Sequence, residues 1–179
     1  MTPDWLSLRL SRLNVVSGES NELAKSLGPR LPEDLAMRLY QPDDTNSRQR
    51  VILVTTVDDD GWPRQMMLSH YEIVAKDQSN MFVLTYTDSK STKNLLRNGL
   101  ASLLFLDEEM NYYVRVKCAP DGRKIREAES ETLFRARVTE VLEDKYPTTK
   151  ITSGIRFAGF DPGMTAESRK RVFQRLVDL

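Results

Sequence analysis

Residues 51–118 decide the fold: VILVTTV (51–57), a DDDG turn (58–61), WPRQMMLSHYEIV (62–74), MFVLTYT (81–87), LASLLFL (100–106) and NYYVRVKC (111–118). The runs are rich in β-branched and aromatic residues, which favour strands. Asp-Gly in the first turn is a strong hairpin signal. The stretch therefore predicts five strands, of which the first is apolar throughout and is expected to be buried on both faces.

One short helix is predicted between the third and fourth of these strands, over residues 89–98. Ser89 or Asp88 can cap its start, and Gly99 follows its end. The chain entering the helix is rich in hydroxyl and basic side chains: Thr85, Thr87, Ser89, Lys90, Ser91, Thr92 and Lys93. Free N–H groups and the helix dipole favour an anion at a helix N-terminus. The turn therefore predicts a phosphate site.

The flanking segments are predicted to be mostly helical. Residues 1–50 form an extension with one helix over 32–40 and another segment, 19–27, that ends at Gly28-Pro29. Residues 126–144 place apolar side chains on one helical face, which predicts a helix.

A sixth strand is predicted over residues 150–160, and an amphipathic helix over 165–178 with Val172, Phe173, Leu176 and Val177 in one stripe. The chain is thus divided into a helical extension (1–50), a barrel (51–160) and a C-terminal helix (161–179). The length of 179 residues fits a single domain overall.

Composition excludes several classes of function. Lys+Arg and Asp+Glu are both 26, so the net charge of zero gives no support for nucleic-acid or anionic-membrane binding. Cys118 and His70 are the only cysteine and histidine, so we predict neither an intrachain disulfide nor a metal site. The start, MTPDWLSLRL, does not read as a signal peptide, and no apolar run reaches membrane-spanning length. We therefore expect a cytoplasmic protein.

Three segments, taken together, resemble the FMN-binding split β-barrels related to pyridoxamine 5′-phosphate oxidase. They are VTTVDDDGWPRQMMLSHY (54–71), TYTDSKSTKNLLRN (85–98), and LASLLFL followed by YYVRV (100–116). The resemblance implies a mainly β (α+β) fold: a six-stranded split barrel with a short helix after the third strand, flanked by N- and C-terminal helices. It also implies FMN bound at a homodimer interface.

The resemblance assigns a role to each candidate residue. The phosphate would be held by Arg64 on the second strand and by Ser89, Lys90 and Ser91 in the turn, with Lys93 one helical turn further on. The flavin ring would lie along Gln65, Met66, Met67, Leu68 and Ser69 and beside Leu84 and Thr85. Tyr113 stands where the family has a glutamine that reaches the flavin from the partner subunit.

Departures from the pattern separate this chain from the oxidase itself. Ser91 replaces one turn cation, Ser69 stands where the oxidase has a lysine, and the C-terminus has no counterpart of its substrate-binding segment. An FMN-dependent oxidoreductase with a small-molecule redox partner is the leading interpretation. The alternatives are a flavin or haem carrier or sensor, a barrel using the deazaflavin F420, and a dimeric scaffold without a cofactor. No residue pattern indicates a general acid or base, and His70 is read as structural.

Overall fold

The computed structural model describes residues 24–40, 50–108, 110–144, 149–158 and 166–179. Within these ranges the strands are β1 (Ala24–Gly28), β2 (Val51–Val57), β3 (Pro63–Ser69), β4 (Ile73–Ala75), β5 (Asn80–Tyr86), β6 (Leu100–Asp107), β7 (Met110–Pro120) and β8 (Glu131–Asp144). The helices are α1 (Glu33–Tyr40), α2 (Lys90–Asn98) and α3 (Ala166–Asp178), with a 3₁₀ turn at Arg126–Ala128.

The strands form one antiparallel sheet in the order β3-β2-β6-β7-β8-β5-β4, and β1 adds to β8. The sheet curls into an open half-barrel, which confirms the predicted mainly β split barrel. The described residues form eight strands rather than the predicted six: the run at 62–74, predicted as one strand, divides into β3 and β4, while β1 and β8 are added and the described part of the predicted sixth strand forms no ladder. The proposed boundaries at residues 50 and 160 stay predictions.

The inner face of the sheet carries the main core. Ile52, Val54, Leu103, Val114 and Phe134 are buried there, and the sheet alternation turns their neighbours to the outer face. Helices α1 and α2 add buried leucines to this core. A second cluster lies between α3 and β4, β5 and β8, where the predicted apolar stripe of α3 packs.

Helix α2 has the predicted caps. The Ser89 hydroxyl accepts the Thr92 N–H, and the N–H of Gly99, at φ 67°, donates to the Leu95 carbonyl at 2.9 Å. A Cβ at position 99 would lie 2.6 Å from the Cys118 carbonyl oxygen of β7. Both the positive φ and this close approach require glycine.

The helix predicted over residues 126–144 is wrong. Residues 131–144 form the longest strand, β8, which pairs with β5 on one side and with β7 on the other. Phe134, Ala136 and Val138 are buried while Arg135 and Arg137 are exposed, so a strand alternation was present in the sequence. Pairing on both sides outweighs the local helix preference of this segment.

Two further secondary-structure predictions are wrong. Residues 24–28, placed in a mostly helical extension, form β1 because they pair with the end of β8. The described part of the predicted sixth strand, residues 150–158, has one isolated bridge, Arg50 to Arg156, and no ladder. The helices predicted over 32–40, 89–98 and 165–178 are confirmed within the described residues.

Candidate functional site

The β2–β3 hairpin and the start of α2 bring two of the predicted phosphate ligands together. Arg64 Nε donates to both carboxylate oxygens of Asp58, at 2.9 and 3.0 Å. Lys90 Nζ lies 3.0 Å from Asp59 Oδ1. The two cations come from different elements, yet each reaches one of two adjacent carboxylates, so they lie at the same corner of the barrel. We call this site, formed by Asp58, Asp59, Arg64 and Lys90, the cation corner.

The carboxylates of this corner are firmly ionised. Hydrogen bonds from Arg64 and Asn94 lower the pKa of Asp58 to about 2. The hydrogen bond from Lys90 lowers the pKa of Asp59 as well. Arg97, in the last turn of α2, adds a third cation 3.9 Å from Asp59 and donates to the Val57 carbonyl. The corner thus holds half-exposed cations whose partners are two aspartates.

A buried amide fixes the position of Asp58. Asn94 is 1% exposed, and its Nδ2 donates to Asp58 Oδ1 at 2.7 Å and to Thr56 Oγ1 at 3.1 Å. The hairpin is therefore attached to the middle of α2 by the buried Asn94 amide as well as by ion pairs. This attachment holds Arg64 in register with the first turn of the helix.

The hydroxyl groups of the turn predicted to bind phosphate mainly form hydrogen bonds with one another and with the backbone. Thr92 Oγ1 donates to the Tyr86 carbonyl at 2.6 Å, and the hydroxyls of Thr85 and Ser89 lie 2.6 and 2.9 Å from it. Because a hydroxyl has one proton, Thr85 and Ser89 are the donors in the last two contacts. Ser89 also accepts the Thr92 N–H at 3.1 Å, which makes it a helix cap first.

Successive side chains of β3 point to opposite faces of the sheet, so the residues predicted to line the flavin ring are divided between two faces. Arg64, Met66 and Leu68 share the inner face, where Met66 packs against the core and Leu68 is buried. Gln65, Met67 and Ser69 share the outer face, where Met67 is 60% exposed. Only the outer-face residues present side chains to a ligand on that surface.

Tyr113 of β7 lies on the same outer face as Met67 of β3, three strands away in the sheet order. One cross-strand row joins Met67 (β3), Leu53 (β2), Leu104 (β6), Tyr113 (β7) and Leu142 (β8). Residues paired across antiparallel strands point to one face, so the row is a half-exposed apolar band.

The remaining predicted residues divide between core and surface. Leu84 is fully buried in the cluster beneath α3, so its side chain points away from the cation corner. Thr85 and Ser91 are buried, and Thr85 joins the end of β5 to α2 through Thr92. Lys93 is exposed on the outer side of α2.

A second charged cluster lies beneath α3, next to Ser69. Arg169, 6% exposed, lies 2.9 Å from Glu131 Oε1 and 3.5 Å from Glu72 Oε1. Glu72 Oε2 accepts the Ser69 N–H at 2.5 Å and its hydroxyl at 2.6 Å. Burial raises the pKa of Glu72. One guanidinium thus serves two buried carboxylates, and Ser69 is a part of this network.

His70 is buried at the opposite end of β2 from the cation corner. It is 5% exposed and lines a small cavity with Arg38, Arg50 and Asp107. Burial, with the charges of Arg50 and Arg38, lowers the pKa of His70 to about 4. The imidazole is therefore neutral at physiological pH, in agreement with a structural role.

Sequence reasoning missed the partners of the cations. Asp58 and Asp59 are typical turn residues, and no local pattern assigns a role to Asn94 or Arg169. Glu131 lies 38 positions before Arg169, so no local sequence pattern indicates that the two residues form an ion pair. Among the described residues, no group of three or more His, Cys, Asp or Glu could hold a metal ion, and no described helix is long and apolar enough to cross a membrane.

Comparison with known proteins identifies the family. The curated protein YclD of Bacillus subtilis (strain 168), which is uncharacterised, is 29% identical over 145 residues, covering 80% of this chain and 94% of YclD. A "putative pyridoxamine 5′-phosphate oxidase" structure from Lactobacillus delbrueckii has a TM-score of 0.52 at 17% identity, covering 65% of this chain and 98% of its own. The haem storage protein HutZ from Vibrio cholerae has a TM-score of 0.45 at 17% identity, covering 63% and 93%.

The YclD match extends over most of both chains, and the Lactobacillus structure shows the same fold. The family described as pyridoxamine 5′-phosphate oxidase matches residues 43–161, which contain β2 to β8, α2 and the cation corner. Since this is more than half of the 179 residues, the chain belongs to the pyridoxamine 5′-phosphate oxidase family.

Proposed function

We propose that this protein is an FMN-binding flavoprotein, a homodimer whose bound flavin carries out oxidoreductase chemistry on a small molecule. The observation that carries the proposal is the cation corner, where Arg64 from β3 and Lys90 from α2 converge at a helix N-terminus. Family membership supports the same interpretation.

The donor set of the corner fits a phosphate monoester. Arg64 and Lys90 are about half exposed and supply charge-assisted hydrogen bonds. The first N–H groups of α2, apart from that of Thr92, which Ser89 caps, have no partner within the helix and point out of its N-terminus. Arg97 adds positive charge at the rim. A bound phosphate competes with Asp58 and Asp59 for the same cations, so the hairpin carboxylates tune its affinity.

The corner favours FMN over the two other cofactors considered. Haem needs an axial ligand, and the single histidine of the chain is buried at the far end of β2. The deazaflavin F420 has a longer anionic tail, which needs further cations beyond the corner. Lys93 is one exposed cation next to it. The compact arrangement of Arg64, Lys90 and one helix N-terminus, with Arg97 at the rim, matches a single phosphate.

The apolar outer face supports the dimer. Leu53, Leu104, Tyr113 and Leu142 are half-buried in the single chain, and Met67 is exposed. A second copy related by a two-fold axis would cover this band and enclose a flavin ring lying along β3. Light scattering at micromolar concentration should give twice the chain mass. A monomer would contradict the interface site.

When bound, the flavin supplies the redox chemistry. The side chains of this protein bind its phosphate, orient its ring along the outer face of β3 and exclude water through the apolar band. At the end of β3, the Ser69 hydroxyl donates to Glu72, so this end of the strand is fixed by the charged cluster beneath α3.

The anchor is tested by the double change Arg64→Ala with Lys90→Ala. Each cation contributes about 1.5–3 kcal/mol through a charge-assisted hydrogen bond, so FMN affinity should fall by more than about a hundredfold. Titration followed by flavin fluorescence measures it. The control is Lys170→Ala with Arg171→Ala, which removes equal charge from the exposed surface of α3. Unchanged FMN binding in the first variant would contradict the proposed anchor.

The absorption spectrum of the protein with each candidate cofactor distinguishes FMN, F420 and haem. Stopped-flow mixing of the FMN complex with NADH or NADPH under anaerobic conditions then separates an enzyme from a carrier. Bleaching of the flavin band supports an oxidoreductase, and His70→Gln should leave its rate almost unchanged because His70 is buried and neutral. Absence of bleaching with both nucleotides would favour the carrier.

A further inference from the structure

A basic groove crosses the outer face of the sheet at β5, β7 and β8. Its volume is about 420 Å³, and its cationic lining residues are Lys76, Lys117, Arg135 and Arg137. The protein as a whole has no net charge, so this concentration of cations is local. None of the described residues that line the groove is acidic.

The strand register sets the spacing of the cations. Lys117 of β7 lies directly opposite Arg137 of β8, and Ala119 lies opposite Arg135. Side chains directly opposite are about 5 Å apart at Cβ, and Arg135 and Arg137 are about 7 Å apart along the strand. The small side chain of Ala119 leaves the space next to Arg135 open. The cations therefore form an array a few ångströms apart around a concave surface.

The pairing of Lys117 with Arg137 opposes stability. Like charges directly opposite each other on neighbouring strands repel. Among the described residues, neither side chain forms an ion pair, while Arg135 lies 3.2 Å from Asp121 and Arg123 also binds Asp121. This cross-strand pair of cations, without an ion-pair partner among the described residues, is therefore available to bind an anionic ligand.

The rim of the groove is fixed in place. The Lys76 ammonium lies 5.7 Å and the Arg123 guanidinium 5.1 Å from the centre of the Phe82 ring. Lys76 also donates to the Val177 carbonyl of α3 at 2.5 Å. Because Phe82 is 7% exposed beneath these cations, its ring is not open for stacking with a base. The groove presents charge rather than aromatic surface.

We propose that this groove binds a small molecule carrying two or more linked phosphoryl groups. The volume falls in the range of small-molecule sites, and the closely spaced cations match successive phosphates. The absence of an open aromatic surface among the lining residues disfavours single-stranded nucleic acid, which relies on stacking. The groove lies at the start of β5 and the cation corner at its end, about 20 Å away, so the two sites are separate.

The test is calorimetric titration of the full chain with inorganic tripolyphosphate, with sodium sulfate at equal ionic strength as the salt control. The wild type should bind tripolyphosphate, and Lys117→Gln with Arg137→Gln should weaken binding at least tenfold. The melting temperature of this variant without ligand should be unchanged or higher, because a repulsion is removed. The control Lys170→Ala with Arg171→Ala should bind as the wild type does.

The Arg64→Ala with Lys90→Ala variant separates this proposal from the cofactor site. It should retain tripolyphosphate binding even where FMN binding is lost. Three results would overturn the proposal that the groove binds linked phosphates. They are the absence of tripolyphosphate binding by the wild type, equal weakening in the α3 control, and loss of binding in the Arg64→Ala with Lys90→Ala variant. Tighter binding of a mixed-sequence oligonucleotide, increasing with its length, would instead identify a nucleic-acid surface and overturn the small-molecule assignment.

Discussion

The two charged clusters of the barrel differ in burial, and this difference separates a binding site from a structural one. At the cation corner, Arg64 and Lys90 are 45% and 46% exposed, and each has its own aspartate. Beneath α3, Arg169 and Glu131 are 7% and 5% exposed, and one cation serves two carboxylates. Exposed ion pairs contribute little to stability and exchange readily, whereas a buried charge cannot lose its partner cheaply. The corner can therefore exchange an aspartate for a phosphate, while the α3 cluster holds the fold.

Removing Arg169 is the most severe test of this comparison. Arg169→Ala leaves Glu72 and Glu131 buried without their cation, and we expect the free energy of unfolding to fall by about 3–5 kcal/mol. Denaturant titration measures it. Arg115→Ala, which breaks the exposed pair with Glu140, is the matched control and should cost less than about 1 kcal/mol. Equal losses in both variants would remove the distinction between buried and exposed clusters.

His70 extends the comparison to a titratable group that is buried in its neutral form. Its pKa is lowered from 6.5 to about 4, so the unfolded chain binds a proton that the folded chain excludes between these values. The contribution is complete above about pH 6.5 and is lost as the pH falls towards 4, by up to about 3 kcal/mol. The difference in unfolding free energy between the wild type and His70→Gln should therefore change across this window. A constant difference would mean that the pKa of His70 is the same in the folded and unfolded protein.

Thr92 connects the corner to the sheet through neutral hydrogen bonds. Thr92→Val removes the hydroxyl shared by Tyr86, Thr85 and Ser89 and should cost about 1–2 kcal/mol, because the buried Thr85 hydroxyl loses its partner. Thermal unfolding measures this loss. FMN affinity should fall only slightly. A large loss of FMN binding at unchanged stability would place Thr92 among the phosphate ligands.

The smallest effect is expected from the hairpin carboxylates. Asp58→Asn and Asp59→Asn remove internal competitors of the phosphate, so FMN should bind about twofold to fivefold more tightly, because the half-exposed Arg64 and Lys90 can exchange their partners readily. Unfolding should change little. Weaker FMN binding in Asp58→Asn would show that this carboxylate positions Arg64 for the ligand instead of competing with it.

The part of the site that sequence reasoning found is local. Arg64 follows a recognisable hairpin turn, and Lys90 stands in the first turn of a helix whose caps, Ser89 and Gly99, are readable from residue type. What sequence reasoning missed is the set of partners: Asp59 lies 31 positions from Lys90, and Glu131 lies 38 from Arg169. Such pairs leave no periodic pattern, because they are made by the packing of separate elements.

By itself, the sequence determined the strands between Val51 and Cys118, apart from the division of residues 62–74 into β3 and β4, and it determined the helix after β5 and its caps, since apolar alternation and capping chemistry act over a few residues. Only the tertiary structure decided that residues 131–144 are a strand, because its stability comes from pairing with β5 and β7. The tertiary structure also decided which cations are exposed and exchangeable and which are buried, since burial depends on elements that are distant in the chain.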